Sequence, residues 1–312
     1  MRTSFIVAAA FVAALPLATP QAAAQDTPTS ACKAPDATHE ARIAGCTALI
    51  DAKTETGRSL AVAYCNRGFA LTEKLELDQA LADLEQAIKI DPKLGCSFSN
   101  RGRVFALKGD LERAIADYNQ AIKLEPTLSA AYNNRGDALI KRNKLDEAIA
   151  DFTTAIKHDP KNAHAYGRRG WAYQRRRDFN HAIADYSKTI ELQPNDLLGY
   201  INRGNIYRAM NNLDRAAADY GEAIRVAPTD PRGWRNRGMV RLMKYDNAGG
   251  IADYDKAIEY DPKDADSWNN RGLAKKDSGD KAGAIADLKK ALEINPKLPT
   301  TRQLLKELGV NP

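Results

Sequence analysis

Signatures of catalysis and metal chemistry are missing from this sequence. No H-E-x-x-H, G-x-S-x-G, G-x-x-x-x-G-K or G-x-G-x-x-G occurs, so the common zinc-hydrolase, serine-hydrolase and phosphate-binding frameworks are excluded. The four histidines, His39, His158, His164 and His181, follow no ligand spacing, and the four cysteines form no C-x-x-C. No metal, no cofactor and no enzymatic activity is therefore expected. Aromatic residues make up only 7% of the chain, so the core must be built mainly from Ala, Leu and Ile. Neither sign of charge dominates: 46 Lys and Arg oppose 40 Asp and Glu, a net of +6. That excess biases the protein toward acidic partners without naming one.

The longest uncharged apolar run, Phe5–Leu17, has 13 residues and is too short for a bilayer, which takes about 20 helical residues. With Arg2 before it and Ala22-Ala23-Ala24 after it, residues 1–24 read as a secretory signal peptide cleaved before Gln25. Loss of Arg2 lowers the charge by one, to +5. An exported protein, periplasmic or secreted, has nucleic acid as a poor partner, and no stable membrane insertion is expected. In an oxidising compartment an even cysteine count suggests disulfides. Three pairings of Cys32, Cys46, Cys65 and Cys96 are open. Cys32 with Cys46 is favoured because it would tie the lead-in onto the first helix. Cys65 with Cys96 would then staple neighbouring helices.

What the chain has in abundance is repetition. Tyr64-Cys65-Asn66-Arg67-Gly68 returns as Phe98-Ser99-Asn100-Arg101-Gly102 and, in the third unit, as Tyr132-Asn133-Asn134-Arg135-Gly136. Glycines 68, 102, 136, 170, 204, 238 and 272 hold a period of 34 residues without an insertion, as do prolines 92, 126, 160, 194, 228, 262 and 296. This overrides the length-based expectation of about two domains. Within the third unit Ala131, Tyr132, Arg135, Leu139 and Ile140 mark one helix, and Ala148, Ile149, Phe152, Ala155 and Ile156 a second. Arg142-Asn143-Lys144 makes the turn between them, and Asp159-Pro160 ends the unit.

In the fifth unit Tyr200, Gly204, Tyr207, Ala216, Tyr220, Ala223 and Pro228 match the pattern of the tetratricopeptide repeat, which the chain resembles over seven units, residues 61–298. The resemblance implies an all-α, right-handed solenoid of helix-turn-helix units. Residues 25–60 are expected to be a lead-in with a degenerate half-unit at Arg42–Ile50 and a loop at Thr54–Arg58. Residues 299–312 should form a capping helix with Leu304, Leu305 and Leu308 on its apolar face. Arg241 and Lys275 replace the Tyr of the first helix, Thr189 and Gly250 replace alanines, and looser packing is expected in units six and seven. Every unit also has Arg where the family usually has Leu: Arg67, Arg101, Arg135, Arg169, Arg203, Arg237 and Arg271. A half-buried guanidinium needs a carboxylate. Asp83, Asp117, Asp151, Asp185, Asp219, Asp253 and Asp287 recur on the second helices, so a structural Arg–Asp ladder is expected.

The resemblance further implies that the first helices line a concave groove for peptides or protein segments. Helical geometry assigns Arg103, Asn134, His164, Arg168, Trp171, Arg175, Asn202, Arg208 and Arg235 to that side, together with Lys141. The centre should be basic with Trp171 among arginines, which suits an acidic or carboxylate-ended segment. The expected function is a non-enzymatic protein-interaction scaffold of the bacterial envelope. The rival expectation is a binder of anionic envelope polymer or lipid headgroups. Nothing in the sequence sets the oligomeric state.

Overall fold

The computed structural model describes residues 29–311, so the expected leader and its cleavage point lie outside the described residues. After a short 3-10 turn at Ser30–Cys32 come α1 (His39–Ala52), α2 (Gly57–Glu73), α3 (Leu77–Ile90), α4 (Gly95–Leu107), α5 (Leu111–Leu124) and α6 (Ser129–Lys141). The series continues with α7 (Leu145–His158), α8 (Ala163–Arg175), α9 (Phe179–Leu192), α10 (Leu197–Ala209) and α11 (Leu213–Val226). It closes with α12 (Pro231–Met243), α13 (Asn247–Tyr260), α14 (Ala265–Asp277), α15 (Lys281–Ile294) and α16 (Pro299–Glu307). Among the described residues these sixteen helices are α, and none is long and apolar enough to cross a membrane.

Local chemistry explains the boundaries. Asp110, Asp178, Asn212, Asp246 and Asp280 cap second helices by accepting from the backbone amide three residues on. The residue before each cap turns the chain in the left-handed region, at φ between 56° and 87°, whether it is Gly109, Gly279, Asn143, Asn211, Leu75, Arg177 or Tyr245. Between units, proline and its neighbours end the second helix and leave room for the next first helix.

The first helix of each unit packs on its own second helix, and each second helix packs on the next first helix. First helices of successive units also touch one another, while the second helices are kept apart by the first helices between them. The stack therefore curves with α2, α4, α6, α8, α10, α12 and α14 on its inner side. Close approach inside a unit requires glycine at its centre. A Cβ on Gly136 would stand 2.8 Å from the Phe152 ring, and one on Gly204 the same distance from Tyr220. Ala148, Phe152 and Ala155 are fully buried around that contact.

The Arg–Asp ladder is complete. In every unit the Arg donates through Nε and Nη2 to the two oxygens of the Asp sixteen residues on, at 2.6–2.9 Å. In five units Nη1 reaches back to the preceding second helix, for instance Arg135 to Asn119 at 2.6 Å and Arg169 to Thr153 at 3.0 Å. One guanidinium thus joins three helices. In six of the seven units it also lies over the aromatic ring three residues earlier, as Arg271 does over Trp268 at 4.7 Å.

Four details differ from the sequence expectations or refine them. The loop before the first unit is shorter than Thr54–Arg58, because Gly57 and Arg58 already belong to α2. Its first turn is closed by the Leu60 amide on the Thr56 carbonyl and by the Ser59 hydroxyl on the Glu55 carboxylate. Cys32 and Cys46 form a disulfide that ties the lead-in to α1, but Cys65 and Cys96 are not bonded. Their sulfurs sit 3.2 Å apart in a thiol–thiol hydrogen bond between α2 and α4. In units six and seven Arg241 and Lys275 each bring a second cation to the ladder carboxylate, at 2.9 Å from Asp253 and Asp287. Leu242 packs into the space that an alanine at Gly250 would narrow, and Thr189 satisfies its hydroxyl on the Asp185 carbonyl at 3.0 Å.

Candidate functional site

The inner face is built from columns of side chains that recur every 34 residues on the first helices. At its centre, between α8 and α10, a cavity of about 340 Å³ is lined by His164, Gly167, Arg168, Trp171, Leu198 and Asn202, with Tyr186, Thr189, Gln193 and Asp196 closing it from the second-helix side. Two glycines, Gly167 and Gly199, keep its wall low. Trp171 is held between two guanidinium groups, Arg168 at 5.6 Å and Arg175 at 5.5 Å from its ring. Four expected groove residues, His164, Arg168, Trp171 and Asn202, meet in this one cavity, and Arg175 stands at its edge.

The others lie in the same columns but in other units, and ion pairs consume several of them. Arg103 is paired with Glu73, and Arg235 with Asp264 at 3.3 Å. Arg208 turns toward the Tyr220 hydroxyl. Asn134 stands half-buried on the inner side of α6. Arg168 itself donates to Asp137 Oδ1 at 2.5 Å, and His164 Nε2 lies 3.0 Å from Oδ2 of the same carboxylate. Burial alone would push the Asp137 carboxyl up. The hydrogen bond from His164 and the charge of Arg168 outweigh it and hold the group below the usual carboxylate range.

The groove centre is thus less basic than its sequence suggests. Asp137, which sequence reasoning passed over, sits in the same column as Trp171, one unit earlier, and neutralises Arg168. Reading the columns across units, rather than each helix alone, reveals such pairs. The same holds for Lys108 with Asp78 and Lys244 with Asp214, both separated by 30 residues. Three of the named groove cations carry no ion pair among the described residues: Arg208, part-buried against Tyr220, and Lys141 and Arg175, both exposed and one unit apart in a single column.

Family comparison decides the class. Tetratricopeptide-repeat models match residues 61–94, 129–162, 163–196, 198–230 and 265–298, and a TPR-repeat model matches residues 102–141. The chain belongs to the tetratricopeptide-repeat family. Such repeats make protein-interaction scaffolds, and the fold agrees. A tetratricopeptide-repeat protein from Parabacteroides merdae superposes at a TM-score of 0.55, with 21% identity, 80% of this chain and 98% of that one covered. The C-terminal part of a TPR repeat-containing protein from Cytophaga hutchinsonii gives a TM-score of 0.64 at 18% identity, with 76% and 97% covered. A chain of the APC/C hetero-tetramer Cut9–Hcn1 gives 0.59 at 15% identity, with 86% of this chain and 52% of that one covered. No curated protein matches the chain.

Proposed function

We propose that this tetratricopeptide-repeat protein is an exported scaffold of the bacterial envelope that holds an acidic peptide or protein segment in the centre of its concave groove. The observation that carries the reading is Trp171, half-buried in the wall of the central cavity and flanked by Arg168 and Arg175. An indole supplies apolar contact area, and a guanidinium free of internal carboxylates is available for bidentate bonding to a ligand carboxylate. Arg175 and Lys141 are free in that sense, whereas Arg168 is pre-oriented by Asp137. Export is supported by the leader composition and agrees with the Cys32–Cys46 disulfide.

The test is co-purification from envelope extract with mature residues 25–312, beside Trp171→Ala and Arg175→Glu variants of equal helicity. A peptide-binding scaffold loses its client in both variants and keeps part of its binding at high salt. Binding that disappears with salt and is indifferent to Trp171 would instead identify an anionic polymer or lipid headgroup as the ligand.

A further inference from the structure

The C-terminal end of the groove has a different chemistry from its centre. Between α12 and α14 a cavity of about 730 Å³ is lined by Met239, Leu242, Met243, Tyr245, Leu273 and Asp277. The column that carries Lys141 and Arg175 continues through Ala209 to Met243 and Asp277, and the column of Trp171 continues through Asn205 to Met239 and Leu273. Both columns therefore change from cationic or aromatic to apolar, and one of them ends in a carboxylate. Asp277, and Asp266 on the first turn of α14, are exposed and carry no ion pair among the described residues. The exposed unpaired charges named here are thus positive in units three and four and negative in unit seven, with part-buried Arg208 and Asp196 between them.

A second observation falls on the same cavity. Tyr245 adopts φ 62° with its side chain 92% exposed. The left-handed region is costly for a residue with a Cβ, yet Leu75 and Arg177 make the same turn in other units, as do Gly109, Asn143, Asn211 and Gly279, so the exposed ring rather than the backbone sets Tyr245 apart. Packing within the chain does not compensate an aromatic side chain left in solvent. An exposed aromatic ring beside a cavity with 43%-exposed Met243 at its mouth is apolar surface of the kind that meets a ligand. Unbranched, polarizable methionines let such a surface adapt to an incoming side chain.

We infer that this cavity anchors an aromatic or long aliphatic side chain of the same extended peptide whose acidic residues lie over Arg175 and Lys141, with a basic residue of that peptide against Asp277. The inference rests on the peptide-scaffold reading above and adds the second half of its specificity. Successive first helices at about 10 Å put Trp171 and Met239 about 20 Å apart. Six extended residues span that distance at about 3.3 Å each.

The experiment uses mature residues 25–312 and fluorescein-labelled peptides with blocked termini. One peptide carries three glutamates alone. The other carries three glutamates, a six-residue glycine–serine spacer, a phenylalanine and a lysine, and is made in both chain directions. The bipartite peptide, in one direction, should bind about tenfold tighter by polarization, the gain expected for one buried aromatic side chain. Met243→Glu and Asp277→Lys should reduce that gain and leave the glutamate-only peptide unaffected.

The chain has four methionines, Met1, Met210, Met239 and Met243, so the mature protein has three methyl signals to follow. Those of Met239 and Met243 should shift on titration, with Met210 as the internal control. Equal affinity of the two peptides, with both lost in Arg175→Glu, would overturn the anchor and leave the acidic-segment reading standing. No binding by either peptide would overturn both. Methyl shifts that follow protein concentration without peptide, together with a dimer in sedimentation, would overturn the anchor by making the cavity a self-association face.

Discussion

Arg135 and Asp151 are joined by two hydrogen bonds, Nε to Oδ2 at 2.7 Å and Nη2 to Oδ1 at 2.6 Å, and Asp151 is 6% exposed. The pair locks α6 to α7, and Nη1 of the same Arg135 reaches Asn119 on α5. Six further units repeat the two-bond pair, and four of them also make the third bond. Asp151→Ala leaves a half-buried guanidinium without its carboxylate and should destabilise the protein by about 3 kcal/mol. Arg135→Leu/Asp151→Ala removes both charges and restores the residue the family usually has, so most of that loss should return. Urea melts of the two single variants and the double variant measure the coupling. Additive effects would mean that the pair contributes nothing specific.

The second prediction concerns acid. A carboxylate held below its ordinary range in the folded chain contributes stability that is present above the unfolded pKa and is lost as pH falls through the folded value. Asp137 is such a group, held down against burial by His164 and Arg168. Asp137→Asn should therefore lower the melting temperature at neutral pH, and the difference from wild type should shrink below about pH 4. Thermal melts by circular dichroism across that range check it. A difference that grows as the pH falls would contradict the sign.

Alkali probes the core in the opposite sense. Burial pushes the hydroxyls of Tyr118, Tyr186, Tyr220 and Tyr254 upward, so their neutral forms stabilise the fold below about pH 10 and that contribution is lost as pH rises. Of the twelve tyrosines, these four should stay silent in an ultraviolet titration until the solenoid unfolds. Smooth ionisation of all twelve with helicity intact would refute the prediction.

Cys65 and Cys96 supply a fourth test. The hydrogen bond between the two thiols lowers the Cys65 pKa and, together with burial, raises that of Cys96. With Asn100 also donating to its sulfur, Cys65 is the better thiolate. Oxidised glutathione should reach the more exposed Cys96 to form a mixed disulfide with release of one glutathione, and Cys65 beside it should then displace the second, leaving a disulfide and no free thiol. Closing a loop of 31 residues should stabilise the chain by about 4 kcal/mol. A persistent glutathione adduct, or two free thiols after oxidation, would count against it.

Sequence periodicity carried the architecture with little loss. The seven glycines and seven prolines mark units because each occupies a spot where a Cβ or a continuing helix cannot go, and such constraints are visible one residue at a time. The ladder was legible for the same reason: Arg67 through Arg271 and Asp83 through Asp287 keep a constant offset of sixteen residues. A half-buried guanidinium also leaves few alternatives to a carboxylate.

The groove was only half legible. His164, Arg168, Trp171 and Asn202 share a cavity as their helical positions implied. Helical geometry cannot say which cations find an acid one unit away, and that decides the field. Arg103, Arg168 and Arg235 are paired across units, whereas Arg175 and Lys141 are not. The cavity around Met239 and Leu273 was likewise invisible, since it depends on how α12 and α14 lean together.

By itself the sequence determined the repeat, the two-helix unit and the side of each helix that faces inward, because these follow from short-range sterics and a fixed period. Tertiary structure alone decided which charges stay free, that Cys65 and Cys96 rest as thiols, and where the inner face opens, because those depend on distances between side chains some 30 residues apart that only the stacking of units sets.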